Sequence, residues 1–361
     1  VSRQAITSLL VVDDMNAGGM ERQVLELLKG LRGSATVRAV LAILKPGGQL
    51  LDEAAAMASD SVLLPFHKNP GAAFLPFRLA RYARTTRADL ICCFGLVSGL
   101  MGLLAGRMTG IPVINGSIRS APLALPPKER LSLFFMKRAD FVLANSEAGL
   151  SAFGLSGRPR TQVIRNGLDL LRFESVPDRS SSGWSVCMVG NFWGKKDQST
   201  LLTAFAIVRE KVPSARLALA GKDWGTLEGL RSRTHSLGME GCVDFITGLT
   251  DTSGVISSSR VCVLLSPDGE GISNALLEYM ALGKPVVATR CEGNMEVVLE
   301  NRTGILVEND PGEVASAILR LLEDPALADA MGQAGRQRVK DDFSLETMIE
   351  SFEQCFSSVG S

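Results

Sequence analysis

Short apolar runs alternate along the chain with segments whose apolar positions recur every three to four residues. This is the pattern of buried strands separated by amphipathic helices. Runs at 8–12, 37–44, 90–94, 113–114 and 141–144 predict strands, and 20–31 predicts a helix ended by Gly33. The alternation restarts with a strand at 185–189, a helix from 199 and a strand at 216–220. A helix at 227–237, strands at 243–246 and 261–266, a helix at 273–281 and a strand at 285–289 follow. Helices at 311–322, 326–340 and 345–357 close the chain, the last with no strand after it. Strands alternating with helices fold as parallel sheets covered on both faces. The expected class is therefore α/β, with two doubly wound, Rossmann-like domains: residues 1–172 and 185–341. A polar, Ser- and Pro-containing linker spans 173–184, and the helix within 342–361 is expected to pack back toward the N-terminal domain.

One stretch, 90–106, runs 17 residues without a charge. A membrane-spanning helix needs about 20 apolar residues, and this stretch holds four glycines and ends at Arg107. A buried strand, a glycine turn and a helix fit it better. The first residues carry no basic segment followed by an apolar leader, so the expectation is a cytoplasmic protein.

Composition sharpens this picture in one respect. The 361 residues hold 38 basic and 38 acidic side chains, a net charge of zero, which argues against a nucleic-acid binder. The charge is divided, however. Residues 1–172 carry 21 Lys and Arg against 12 Asp and Glu (+9), and 173–361 carry 17 against 26 (−9). Two domains with different partners are implied. Seven cysteines, none in a CxxC pair and several within apolar runs, read as reduced buried thiols. Two histidines, His67 and His235, supply too few ligands for a zinc site or a histidine-based triad.

Three segments carry candidate chemistry. The first strand leads into VVDDMNAGGMERQ, where Gly18 and Gly19 stand at the start of a helix. Glycines there let the backbone approach an anion, although they also serve as a plain turn, and the dinucleotide fingerprint GxGxxG is absent. After 185–189 comes GNFWGKKDQ, whose Lys195 and Lys196 can reach a phosphate or lie solvated at the surface. The third segment is LLSPDGEGISNALLEYMALGKPVVA. Here a buried strand ends at Ser266, a turn carries Glu270, and Glu278 stands eight positions further on. N–H groups of Gly271, Ile272 and Ser273 cluster at the helix start. Two carboxylates accept hydrogen bonds from a hydroxyl-rich ligand.

These residues resemble the retaining glycosyltransferases of family 4. Glu270 and Glu278 form the E-x7-E pattern, and GGMERQ (18–23), VIRNGLDLLRF (163–173), VGNFWGKKDQSTLLTAF (189–205), LALAGK (217–222) and RTGILV (302–307) match as well. The resemblance implies a GT-B architecture, two Rossmann-like domains facing across a cleft. It also implies transfer of a hexose or N-acetylhexosamine from a nucleoside-diphosphate sugar, more readily UDP, to a glycan or polyprenyl-diphosphate-linked acceptor. On this resemblance Gly18 and Gly19 approach the donor diphosphate, Lys196 neutralises the leaving group, and Glu270 binds the donor sugar hydroxyls. Glu278 takes the ribose hydroxyls, Gly271, Ile272, Ser273 and Asn274 hold sugar and phosphate through the backbone, and the base lies near Ile246, Thr247, Gly248 and Leu249. No metal is implied, because a lysine and helix N-termini stabilise a departing diphosphate and Asp13-Asp14 lacks DxD spacing. Two positions depart from the family: Asn191 stands where an arginine is frequent, and the N-terminal segment INGSIRSA has no histidine. Arg119 is the candidate to supply the missing positive charge, giving Glu270, Lys196 and Arg119 as the catalytic set.

Two N-terminal stretches join bulky apolar and basic residues. Residues 66–87 include Phe74, Leu75, Phe77, Arg78, Arg81, Arg84 and Arg87; residues 128–138 include Leu131, Leu133, Phe134, Phe135, Arg130 and Lys137. They fit either a peripheral contact with an anionic membrane at the inner face of the plasma membrane or ordinary helices with a basic solvated face. Two other activities share the fold: a nucleotide-sugar epimerase, and a nucleotide-sugar-binding assembly partner of low catalytic activity.

Overall fold

A computed structural model describes residues 5–66, 74–179 and 184–360. Residues 67–73, which include His67 and belong to the 66–87 stretch, and positions 180–183 of the expected linker lie outside the described residues. The chain forms two units: residues 1–167 together with Leu345–Ser361, and Leu168–Ser344.

In the first unit β1 (Ile6–Val12), α1 (Gly19–Leu31), β2 (Val37–Ile43), α2 (Leu51–Met57), β3 (Asp60–Leu63), α3 (Leu75–Thr85) and β4 (Leu90–Phe94) come first. Then follow α4 (Leu96–Thr109), β5 (Val113–Ile118), α5 (Pro127–Met136), β6 (Phe141–Ala144), α6 (Glu147–Ala152) and β7 (Thr161–Val163). All seven strands are parallel, in the order β3-β2-β1-β4-β5-β6-β7. Alternate residues of β1 face opposite sides of the sheet. Leu10 and Val12 join the core with Leu25 and Leu28 of α1, whereas Leu9 and Val11 join Leu79 of α3 and Met101 of α4. The uncharged stretch 90–106 is the buried strand β4, a turn at Gly95 with φ +129°, and helix α4. Among the described residues, no helix is long and apolar enough to cross a membrane.

The second unit runs α7 (Leu171–Glu174), β8 (Trp184–Val189), α8 (Gln198–Lys211), β9 (Leu217–Ala220), α9 (Leu227–Ser236), β10 (Val243–Ile246), α10 (Ser253–Ser257) and β11 (Ser259–Leu264). After these come α11 (Asn274–Ala281), β12 (Val286–Thr289), α12 (Glu292–Val297), β13 (Gly304–Val307), α13 (Pro311–Glu323) and α14 (Pro325–Asp342). Its six parallel strands are ordered β10-β9-β8-β11-β12-β13 around one continuous core. Both sheets are therefore doubly wound and Rossmann-like, as the strand–helix alternation implies. Beyond the expected elements stand the short strands β3, β7 and β13 and the helices α2, α6, α7, α10 and α12.

The last helix, α15 (Leu345–Val359), returns to the first unit. Phe352 and Phe356 are buried against the β1–α1 face, Ile349 lies over Gly30 of α1, and Glu353 accepts a hydrogen bond from Thr36 (2.8 Å). This helix brings three acids and no base. By structural unit the charge is 20 basic against 14 acidic residues (+6) and 18 against 24 (−6). All seven cysteines are free thiols, six of them buried.

Candidate active site

In a doubly wound sheet the loops leaving the strands' carboxyl ends gather at one pole. In the second unit, β11 runs into the fully buried Ser266, whose backbone N–H donates to Thr289 Oγ1 (3.0 Å). The chain then turns through Gly269 at φ +82°, a conformation that disfavours a Cβ. This turn brings Glu270 back over the strand end, where Ser266 Oγ donates to Glu270 Oε2 (2.9 Å). From the loop after β8, Lys196 donates through Nζ to Ser266 Oγ (3.2 Å) and forms an ion pair with Glu270. The two side chains are only 15% and 19% exposed. Lysine, serine and glutamate thus form one partly buried polar constellation.

The neighbours of Glu270 leave it little freedom. A Cβ on Gly293 of α12 would lie 1.9 Å from the Glu270 carbonyl oxygen, so the helix rests directly on this turn. Helix α11 begins at Asn274 behind Ser273, whose side chain does not cap it. Buried Tyr279 holds α11 in place, its hydroxyl accepting from Val189 N (2.6 Å) at the end of β8. Glu278 accepts from Thr252 Oγ1 (3.3 Å). Asp197 caps α8 through Thr200 N (2.9 Å) and accepts from Asn309 Nδ2 (2.7 Å). Burial raises the Asp197 pKa, but these hydrogen bonds outweigh burial and hold the carboxyl below its usual range.

Asn191 has a different surrounding. Its Oδ1 accepts from Lys222 N (3.3 Å), and its carbonyl accepts from Gln198 Nε2 (3.1 Å). It ties the loop after β8 to the loop after β9. Gly221 N in turn donates to Ile246 O (3.0 Å), the last residue of β10, and Thr247, Gly248 and Leu249 follow as an exposed turn.

In the first unit, Gly18 precedes α1 and Gly19 opens it. The Glu21 carboxylate folds back over Gly18, where any Cβ would lie 2.2 Å from Glu21 Oε2. Burial, aided by the charges of Asp14 and Asp13, pushes Glu21 up to about 7. Asp13 accepts from Val97 N (3.2 Å) and Ser98 N (2.6 Å) at the start of α4, and Asp14 pairs with Lys45 (3.2 Å). The two acids are therefore turned to different partners. Arg119 donates through Nε to Gly116 O (3.1 Å) and through Nη1 to Asn166 Oδ1 (3.3 Å), and lies 5.3 Å from the Phe94 ring centroid. Burial lowers its guanidinium to about 10, against the opposing pull of Cys92 and Glu21.

The sequence-derived residues therefore fall into two sets, each within one unit. Lys196, Glu270, Gly271, Ile272, Ser273, Asn274 and Glu278 surround the turn after β11. Asn191 and 246–249 adjoin that set through the β9 loop. Gly18, Gly19 and Arg119 surround Glu21 in the first unit. Sequence reasoning missed Ser266 as the link between Lys196 and Glu270, Gly293 as the floor of the turn, and Glu21 as a carboxyl with a raised pKa. The i, i+4 spacing of Ser266 and Glu270 was the one local signal available.

The paired doubly wound sheets are the fold of the GT-B kind. Residues 184–324 match the family model described as glycosyl transferases group 1 and residues 18–167 the glycosyl transferase 4-like domain, together more than half of the chain. The chain belongs to the family 4 glycosyltransferases. Among its relatives is the GDP-mannose-dependent alpha-(1-6)-phosphatidylinositol monomannoside mannosyltransferase of Mycobacterium tuberculosis, 27% identical over 94% of this chain and 95% of that protein. The lipopolysaccharide core biosynthesis glycosyltransferase LpsE of Rhizobium meliloti is 26% identical, with 79% of this chain and 80% of its own length covered. Against two other relatives the chain spans less: 63% of an uncharacterized glycosyltransferase of Methanocaldococcus jannaschii and 56% of a mannosyltransferase of Mycolicibacterium smegmatis. Among solved structures, HepE of Anabaena in complex with UDP superposes with a TM-score of 0.85 at 22% identity, over 98% of this chain and 100% of that one.

Proposed function

We propose that the protein is a retaining, metal-independent glycosyltransferase. It moves a hexose or N-acetylhexosamine from a nucleoside-diphosphate sugar, preferentially UDP-linked, to a glycan or lipid-linked acceptor in cell-surface polysaccharide or glycolipid synthesis. The observation that carries this reading is the Lys196–Ser266–Glu270 constellation beside the start of α11. Without ligand, the cation and the anion satisfy each other. A donor diphosphate competes for Lys196, and sugar hydroxyls donate to the freed Glu270, so one ligand replaces both halves of the pair. Breaking the sugar–phosphate bond leaves a diphosphate whose growing charge Lys196 and backbone N–H groups of 271–274 stabilise. Glu278 receives the ribose hydroxyls.

UDP is favoured by solved neighbours described in complex with UDP and UDP-glucose; the mycobacterial relatives, named as GDP-mannose-dependent, make base choice the first point to test. A thermal-shift panel of UDP-, GDP- and ADP-sugars in excess EDTA tests donor and metal independence together. A shift with UDP-sugars is expected, and no shift with any nucleotide sugar overturns the reading. Product analysis separates transfer, which yields a new glycoside, from epimerisation, which converts the nucleotide sugar, and from binding alone.

For the acceptor we propose a phosphate-bearing lipid-linked glycan met at an anionic membrane. Phe74 and Phe77 are 63% and 59% exposed beside Arg78 and Arg81, and Leu131 and Phe134 are exposed on α5. Arg84 is instead committed to the Met108 carbonyl (2.8 Å) and Arg138 to the Phe134 ring. Charge reversal at Arg78 and Arg81 is expected to abolish binding to phosphatidylglycerol vesicles; unchanged binding in the variant clears these two residues, and no vesicle binding by the unmutated chain removes the membrane from the proposal.

A further inference from the structure

The loops after β8 and β9 are joined beyond the last residues of their strands. Gly190 N donates to Ala220 O (2.8 Å), Phe192 N to Lys222 O (2.9 Å), and Trp224 N to Phe192 O (3.1 Å). Asn191 adds its side-chain bond to Lys222 N, and a Cβ on Gly221 would lie 2.1 Å from the Gly190 carbonyl oxygen. This extended ladder holds two indoles together at the pole: Trp193 and Trp224, with ring centroids 5.5 Å apart and planes at 57°. Trp224 is 56% exposed. Beneath them, buried Phe192 packs against Phe245 of β10 at 6.1 Å.

Strand order fixes where this pair stands. Along the pole run β10 with 246–249, β9 with Trp224, β8 with Trp193 and Lys196, and β11 with Glu270. Lys196 N donates to the Trp193 carbonyl (3.0 Å), and Gly221 N to the Ile246 carbonyl (3.0 Å), so the aromatic pair is tied by backbone bonds to both flanking segments. A half-exposed indole costs solvation, and nothing in the packing of the core requires it at this edge. It offers a flat apolar face on the loop after β9, which the strand order places between the loop carrying Lys196 and the 246–249 turn.

We infer that Trp193 and Trp224 form an aromatic subsite on which the donor's nucleobase stacks. The inference rests on the donor-site reading above and adds to it the residues that position the nucleoside. Trp224 supplies the stacking face, and Trp193, half-buried and over-packed by Lys195 at 5.5 Å, backs it. Stacking reads a ring face, not the hydrogen-bonding edge, so the pair positions a base without selecting it. Base identity is left to the 246–249 turn.

Calorimetric titration of the full chain with UDP and with inorganic pyrophosphate tests this. Trp224→Ala is expected to weaken UDP about tenfold while leaving pyrophosphate within about twofold, since removing one base–aromatic stack is an effect of that order. Trp224→Phe, which keeps a ring, is expected to stay within about threefold of wild type for both. UDP should also quench indole emission in the wild type, with most of the quenching lost in Trp224→Phe. Equal loss of UDP and pyrophosphate in Trp224→Ala overturns the inference, because the residue then only supports the loop. Unchanged UDP affinity in Trp224→Ala also overturns it and leaves the donor reading standing. A wild type that binds neither ligand overturns the donor reading and the stacking subsite with it.

Discussion

The two units handle charge in opposite ways. In the second unit, Lys196 and Glu270 lie side by side and neutralise each other through Ser266. In the first unit, Glu21 sits half-buried against Gly18 near Asp13 and Asp14, with a pKa raised to about 7. On the function proposed above, the first arrangement is poised for a ligand that brings both an anion and hydroxyl donors. The other changes charge with pH. The overall fields follow the reverse order, since the unit carrying Lys196 is net acidic. Binding of the proposed anionic donor there would depend on local groups, because charges beyond about 8–10 Å are screened at physiological salt.

The largest effect is expected at Lys196. Lys196→Ala removes the cation proposed to face the leaving group and is expected to lower kcat about 10²–10³-fold. A variant that keeps full turnover would place the charge stabilisation elsewhere, with Arg119→Ala as the variant to test next. A smaller effect is expected at Gly293. Gly293→Ala drives a methyl into the Glu270 carbonyl and is expected to cost about 1–3 kcal/mol of stability. It should also weaken UDP-sugar binding, whereas the same change at Gly229, an exposed helical position where a Cβ meets nothing within 4 Å, should leave stability unchanged or raise it by up to about 1 kcal/mol. Denaturant midpoints of the two variants, measured side by side, read the difference.

The smallest effect is expected at Glu21, and it is a pH effect. The folded chain holds the Glu21 proton more tightly than the ordinary value of 4.5. Its stabilising contribution is therefore complete below about pH 4.5 and is lost as pH rises through about 7. Glu21→Gln stays neutral throughout. Its stability should follow wild type at pH 5 and exceed it at pH 8 by on the order of 1 kcal/mol, after allowance for partial solvent exposure. Urea midpoints at the two pH values show the divergence; parallel curves would mean that Glu21 titrates normally.

Much of the fold was legible because it is written in local periodicity. The runs at 90–94 and 141–144 appear as strands with the same limits in the structure, and the helix expected at 20–31 spans Gly19–Leu31. The short edge elements were not legible. β7 has three residues and β3 four, too few to show a period, and both exist through pairing with β6 and β2. The site divides similarly. Glu270, Glu278 and the glycine turn are neighbours in sequence and could be read together. The bond between Lys196 and Glu270 spans 74 positions, and the Asn191–Lys222 bond spans 31. Only the order of strands in the sheet brings such residues together. Asn191 illustrates the cost of reading without that order: as sequence it is a missing cation, and in the fold it fastens two loops.

The most direct test of the central claim is the stereochemistry of the product. An α-linked UDP-sugar and a lipid-linked or glycan acceptor are incubated with the protein in EDTA, and the anomeric proton of the new glycoside is followed by NMR. The expected result is an α-glycoside formed with equimolar release of UDP, and its loss in Lys196→Ala. A β-glycoside, or hydrolysis and epimerisation with no glycoside formed, would contradict the account.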